Sequence, residues 1–232
     1  MAADAPLSEL VLAATSVADD LGYVALADLS TVLHTEGLRD HRVIGGHMVT
    51  ALVARWRLGA ELYRETGDTD LGVPPIVVRD HRLIERLMEL DYVKVKGNRF
   101  ARTMTDVPVT IAGDRETPRQ AIIDVLVPAY TSRPRQNRRI SEHLVTTEVP
   151  GLATALNRAP VVMALELRRL NGETLDAELS FPNEVAALVL KSLATRVRSR
   201  RPTSWTCGDV WRSATPLASA TRSSLTESPL KR

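Results

Sequence analysis

Apolar residues recur at helical spacing in the first part of the chain and at strand spacing further on. Residues 8–21 and 26–34 place apolar side chains three and four positions apart, which predicts two short amphipathic helices. A strand-like run at residues 42–44 ends at two glycines, positions 45–46. A helical pattern then continues over residues 47–58 without a further Gly or Pro. This order predicts a strand, a tight glycine turn and a helix.

Strand-like runs dominate the middle of the chain. They lie at residues 69–78, 92–95, 99–103, 107–111, 120–128, 144–149 and 161–167. Pro74 and Pro75 cannot donate to a sheet ladder, so the far half of the first run is predicted to lie at an edge or to leave the sheet. Helical spacing returns over residues 82–90 and again after Asn183, which favours the N-cap position. Helices and strands in this order predict an α/β fold.

Changes in composition suggest four segments. Residues 1–40 hold the N-terminal helices, residues 41–130 a core of strands and helices, and residues 131–198 a C-terminal portion that ends in a helix. Residues 199–232 differ from the rest, because they contain 12 Ser or Thr and three Pro against two acidic residues, with no regular apolar period. This composition predicts an irregular, poorly ordered tail.

Composition narrows the class of protein. The 232 residues are 44% hydrophobic and carry 30 Lys and Arg against 28 Asp and Glu, which favours a folded chain without a general affinity for nucleic acid. A single cysteine, Cys207, excludes an internal disulfide and a Cys-rich metal site. The first residues are acidic where a signal peptide is basic, and no apolar run is long enough to span a membrane. We therefore expect a cytoplasmic protein.

Three carboxylates stand out as candidate chemistry. Asp68 and Asp70 lie at a strand start and, being two residues apart, project from one face. Such a pair needs a cation, a shared proton or solvent to relieve its repulsion. Asp124 lies within an apolar strand and must be paired or bind something. Oxygen ligands on adjoining strands favour Mg²⁺, although the first two acids alone also fit a solvated turn and Asp124 also fits an ion-paired core residue.

A possible phosphate site accompanies these acids. Gly45 and Gly46 allow a close approach of the backbone, and the helix after them presents free N–H groups. Lys191 is the only lysine of its helix and can supply a cation to the phosphates, although a lysine that merely lies along the helix surface fits the pattern equally well. Arg64 and Thr66 can line the same opening.

The residues carry a resemblance to a known superfamily. Residues 43–49 are VIGGHMV and residues 64–70 are RETGDTD. They resemble the Gly-Gly and R-x-T-x-D-x-D signatures of the nucleotidyltransferase superfamily, which includes DNA polymerase β, and especially the AbiEii and MenT toxins of type IV toxin-antitoxin systems. The resemblance implies that Asp68 and Asp70 are metal ligands and that Asp124 is the third acid.

The resemblance also implies a fold and an activity. The fold is an α/β domain with a mixed sheet flanked by helices and a C-terminal helical portion. Gly45 and Gly46 would contact the triphosphate of an NTP, with Lys191 as the lysine of the C-terminal half. Family members transfer a nucleoside monophosphate to an acceptor, tRNA for MenT-like toxins, and an antitoxin protein neutralises them. The cofactor is Mg²⁺, with Asp70 or Asp124 as the proton acceptor.

One departure from the family favours an alternative. Relatives follow the lysine helix with a K-D-x-x-D-like run, whereas residues 201–211 are RPTSWTCGDVW, in which Asp209 has the wrong neighbours. Back-translation in a shifted frame gives a motif close to the missing one. We therefore consider a frameshifted C-terminus, which makes the chain a degenerate, non-catalytic remnant that binds nucleotide or a partner only. A purely structural or partner-binding protein is a third possibility.

Two further features have a functional and a structural interpretation. His47 follows the glycine pair and either touches a base or phosphate or only satisfies its own backbone at the helix N-terminus. Arg133, Arg135, Arg138 and Arg139 form a basic loop. That loop either binds the phosphates of an RNA acceptor or is simply solvated.

Overall fold

The computed structural model describes residues 8–59, 63, 65–106, 119–131, 133–142 and 144–198. The chain divides into two compact units, Met1–Ala194 and Thr195–Arg232. Of the second unit only residues 195–198, the end of a helix, belong to the described part. Arg64, the predicted strand at residues 107–111 and the tail at residues 199–232 lie outside the described residues.

Helices and strands follow one another along the described chain. The strands are β1 (Ser8–Ala13), β2 (Arg42–Ile44), β3 (Asp68–Gly72), β4 (Val93–Lys96), β5 (Arg99–Thr103), β6 (Gln120–Pro128), β7 (Arg138–Arg139), β8 (Val145–Thr146), β9 (Glu148–Val149), β10 (Val161–Arg168) and β11 (Thr174–Phe181). The helices are α1 (Val17–Thr35), α2 (Gly45–Arg55), α3 (Pro75–Arg79), α4 (Arg82–Glu89), α5 (Leu152–Asn157) and α6 (Glu184–Arg198). The predicted α/β class is confirmed.

The described strands form three sheets. The largest has the order β2-β3-β6-β5-β4, and β9 pairs with the far end of β6. Strands β3 and β6 run parallel, whereas β2, β5 and β4 are each antiparallel to their neighbours, so this sheet is mixed. A second sheet has the order β1-β10-β11, and β7 pairs with β8 alone.

Helix α1 joins the two larger sheets into one core. It packs against β3 and β6 of the first sheet and against β11 of the second. Its inward residues, such as Leu26 and Leu29, are buried. Ser16 caps its start, because the side-chain oxygen accepts a hydrogen bond from the N–H of Asp19 at 3.1 Å. None of the described helices is both long and apolar enough to cross a membrane.

The N-terminal prediction is wrong in its first half. Residues 8–13 form strand β1, and α1 is one continuous helix rather than two short ones. Along β1 the side chains alternate, with Leu12 buried while Glu9 and Val11 are exposed. The strand pairs in parallel with β10, so its conformation depends on a partner about 150 residues away in sequence.

Several other elements differ from the sequence prediction. Strand β7 was not predicted, and the predicted strand at residues 144–149 is divided into β8 and β9. The predicted strand after residue 72 is interrupted by α3, which begins with Pro75 in its first turn, where proline fits a helix well. Helix α5 and strand β11 were not predicted. Strand β11 completes a hairpin with β10 after a turn at Asn171 and Gly172, where Gly172 has φ +85°.

The elements that position the site agree with the sequence. Strand β2 is followed by α2 as predicted, but Gly45 and Gly46 are the first residues of that helix rather than a separate turn, and the helix ends at Arg55 rather than at residue 58. Strands β5 and β6 have the predicted bounds. Asn183 caps α6, since its side-chain oxygen accepts a hydrogen bond from the N–H of Ala186 at 3.0 Å. Strong local signals therefore specify the part of the chain that carries the candidate chemistry.

Candidate active site

Two parallel strands bring the three predicted carboxylates together. Asp70 of β3 lies directly opposite Asp124 of β6. Asp68 precedes Asp70 by two residues and therefore projects from the same face of the sheet. The register thus collects all three acids on one face.

An arginine lies between two of these acids. Arg99 of β5 lies opposite Asp124 on the other side of β6. Its Nε and Nη2 donate to the Asp124 carboxylate at 3.0 and 2.6 Å, and Nη2 also donates to Oδ2 of Asp68 at 3.1 Å. The side chain of Asp124 is 11% exposed and that of Asp68 is 46% exposed. Asp124 is therefore an ion-paired residue, as one sequence interpretation held, but its partner also reaches Asp68.

Asp70 is repelled by the two neighbouring acids. Burial, together with the charges of Asp68 and Asp124, raises the pKa of Asp70 to about 7. Lys191 and Arg99 act in the opposite direction and lower the pKa of Asp70. Lys191 of α6 is exposed, and it lies close enough to Asp70 to influence the charge of that carboxyl. The positive charges of Lys191 and Arg99 therefore compensate only part of the negative charge of the three acids.

The glycine pair packs directly onto this cluster. Gly45 has φ +75°, and a Cβ there would overlap the Asp70 carboxylate. A Cβ at Gly46 would overlap the side chain of Thr66. Ile44, at the N-cap of α2, provides no side-chain hydrogen bond to the first turn. The start of α2 therefore lies against the acids and presents backbone N–H groups without a side-chain cap.

Gly45→Ala is expected to lower the free energy of unfolding by about 2 to 4 kcal/mol. About 1 kcal/mol arises from the left-handed backbone, and the overlap with Asp70 adds about 1 to 3 kcal/mol. Gly37→Ala is the matched control, since Gly37 has φ +61° with no heavy atom within 4 Å of the added Cβ. Urea unfolding measures both. Equal losses in the two variants would show that Asp70 does not crowd Gly45.

Asp19, at the start of α1, accepts a hydrogen bond from the backbone of Thr66. The Oδ1 atom of Asp19 accepts a hydrogen bond from the Thr66 N–H at 3.4 Å, while Oδ2 accepts one from the Thr15 hydroxyl at 2.8 Å. This contact ties the segment before β3 to the N-terminal helix. Sequence analysis did not identify Asp19, because the contact joins residues 47 positions apart. Arg64, predicted for the same opening, lies outside the described residues.

His47 lies in the first turn of α2, directly after the glycine pair. A Cβ at Gly22 would be 2.6 Å from its ring, so the imidazole packs against the backbone of α1. Its Nε2 is buried and makes no hydrogen bond to the described residues. Burial lowers the pKa of His47 to about 4. The imidazole is therefore neutral at neutral pH and packs at the helix start rather than offering a cation to phosphate.

The predicted basic loop is partly anchored. The buried Glu148 accepts hydrogen bonds from Nη1 of Arg138 at 2.7 Å and from the backbone N–H of Arg135 at 2.9 Å. Arg133, Arg135 and Arg139 are exposed, and Arg135 contacts Glu148 only through its backbone. The loop is thus held by one internal acid and leaves three arginines facing solvent.

Carboxylate oxygens are the ligands that a hard divalent cation prefers, and three carboxylates share this face of the sheet. As the side chains stand, the described residues contain no group of three or more His, Cys, Asp or Glu arranged to hold a metal ion. Arg99 occupies the space between two of the acids. Arg99 was not predicted as a site residue. The signal available in the sequence was its position at the first residue of β5, just after Gly97 and Asn98.

Comparisons of the chain with family models, curated proteins and solved structures find no match.

Proposed function

We propose that the chain is a metal-dependent nucleotidyltransferase, which moves a nucleoside monophosphate from an NTP to an acceptor. One observation carries the proposal, namely the register that aligns Asp70 with Asp124 and adds Asp68 on the same face. The contact between Gly45 and Asp70 supports it, because the start of α2, which would bind phosphate, lies directly beside one of the acids.

Each residue has a defined role in this proposal. Asp68, Asp70 and Asp124 would hold Mg²⁺, and the backbone N–H groups at the start of α2 would bind phosphate oxygens. Bound divalent ions supply the positive charge that stabilises the attacking and leaving oxygens of an in-line displacement. Asp70 or Asp124 takes the proton of the acceptor hydroxyl, whose oxygen bonds to the α-phosphorus while pyrophosphate leaves. Lys191 offers a cation to the phosphates.

The proposed acceptor is tRNA, as the resemblance to MenT-like toxins implies. Arg133 and Arg139 are exposed and suit contact with a phosphate backbone. An antitoxin protein is the proposed regulatory partner.

Label transfer tests the proposal directly. The full chain is incubated with each α-labelled NTP in turn, with total tRNA and Mg²⁺, and the RNA is separated by electrophoresis. We expect label in the RNA with one or more NTPs and none after chelation of Mg²⁺. Transfer that persists in excess chelator would contradict a metal-dependent reaction.

The Arg99 contact favours a second candidate, a nucleotide-binding protein without transferase activity. Its guanidinium engages two of the acids that the reaction requires. Such a protein is expected to show a higher melting temperature with Mg²⁺ and NTP, because a ligand that binds only the folded state stabilises it. It would show no label transfer in the same samples. The two measurements together distinguish the two functions.

A further inference from the structure

Arg99 is placed at the acids by the sheet itself. It is the Cα partner of Asp124 in the antiparallel ladder of β5 and β6. Its guanidinium engages both oxygens of Asp124 and also reaches Asp68. Asp124 is nearly buried, and a buried carboxylate needs a counter-charge to remain ionised. In this arrangement Arg99 supplies that counter-charge.

The Arg99 guanidinium is hydrogen-bonded to Asp124, yet part of the side chain is accessible to solvent. The side chain of Arg99 is 41% exposed, and that of Asp68 is 46% exposed. Arg169, by contrast, is buried and engages Asp20, Asp106 and Glu173 together. Arg169 cannot turn to solvent without leaving the buried Asp20 unpaired. Arg99 starts from a more exposed position, but its outward rotation also leaves the nearly buried Asp124 without a counter-charge, so its release requires a replacement cation.

We propose that Arg99 is a resident cation of the acidic cluster and that it must release Asp68 and Asp124 before a divalent ion binds there. The inference rests on the proposed function, since it concerns the same acids. The oxygens that accept from the guanidinium are those that the metal requires, so the two cations compete. Arg99 thus stabilises the metal-free protein and lowers its affinity for the metal.

Direct Mn²⁺ binding tests this competition without any measurement of activity. Free Mn²⁺ is quantified by its electron paramagnetic resonance signal during titration of the full chain. Arg99→Met keeps the length of the side chain and removes its charge. We expect it to bind Mn²⁺ at least about tenfold more tightly than the unmodified chain, because one positive charge adjacent to the ion is lost.

A matched control shows that the effect belongs to this arginine. Arg138 engages the buried Glu148 at 2.7 Å, a pairing similar to that of Arg99 with Asp124. Arg138→Met is expected to leave the Mn²⁺ affinity unchanged. Adding Asp124→Asn to Arg99→Met is expected to abolish the tight binding.

Stability gives a second measurement. Arg99→Met is expected to melt at a lower temperature than the unmodified chain in chelator and to recover with Mn²⁺. If it does not fold, Arg99→Lys replaces it; a single ammonium cannot engage Asp124 as a fork, and a gain in affinity of about threefold is expected.

The outcomes separate the two proposals. Equal Mn²⁺ affinity in the unmodified chain and in Arg99→Met, at a site removed by Asp124→Asn, overturns the role of Arg99 and leaves the metal site intact. Tight binding in Arg99→Met that survives Asp124→Asn also overturns it, since the ion then lies elsewhere. No binding to either protein overturns both proposals.

Discussion

Asp70→Asn is expected to reduce the rate of nucleotide transfer by about a thousandfold. Asparagine keeps the shape of the side chain and one oxygen but removes the charge that a divalent ion requires. Asp70 lies at the centre of the cluster, opposite Asp124 and against Gly45. The initial rate of label transfer to RNA, measured at saturating NTP, gives the effect.

The same substitution is not expected to unfold the protein. Burial, together with the charges of Asp68 and Asp124, raises the pKa of Asp70, so a neutral side chain at this position lowers the desolvation cost and the repulsion in the folded state. The melting temperature is expected to be unchanged or higher. Asp176→Asn, at an exposed position of β11, is the matched control and is expected to keep full activity. Transfer by Asp70→Asn within about tenfold of the unmodified rate would remove Asp70 from the proposed site.

Local signals predicted the elements that carry the site. Strand β2, the glycine pair and α2 were predicted because glycine separates an apolar run from a helical period. Strand β6 was predicted with its bounds, since nine residues rich in Ile and Val contain a single acid. These signals depend on neighbours within a few residues, and they are sufficient to single out Asp68, Asp70 and Asp124 as candidate ligands.

The sequence prediction was wrong or incomplete where the conformation depends on pairing with a strand remote in sequence. Leu10, Val11 and Leu12 fit either a helical face or a strand, and pairing of β1 with β10 decides for the strand. Arg99 was missed for a related reason. Its contact with Asp124 depends on the register of β5 against β6, and signals from neighbouring residues do not determine that register.

Asp20→Asn is expected to lower the free energy of unfolding by about 3 to 5 kcal/mol, because it leaves a buried arginine without its main counter-charge. Asp20 in α1 is 0% exposed and Arg169 after β10 is 3% exposed, with Nη2 and Oδ2 3.0 Å apart. Asp20 also accepts a hydrogen bond from the N–H of Leu170 at 2.9 Å. The pair therefore links α1 to the second sheet. Urea unfolding of Asp20→Asn measures how much free energy is lost when this link is removed.

An adjacent residue provides the control for this pair. Arg168 engages Glu166 at 2.8 Å with both side chains exposed, and Arg168→Met is expected to cost no more than about 0.5 kcal/mol. Replacing both members of the buried pair, with Asp20→Leu and Arg169→Met, is expected to cost less than the sum of the two single changes, since neither charge is then left alone. A loss below about 1 kcal/mol for Asp20→Asn would show that Asp106 and Glu173 suffice to hold Arg169. In that case the link between α1 and the second sheet depends on apolar packing rather than on charge.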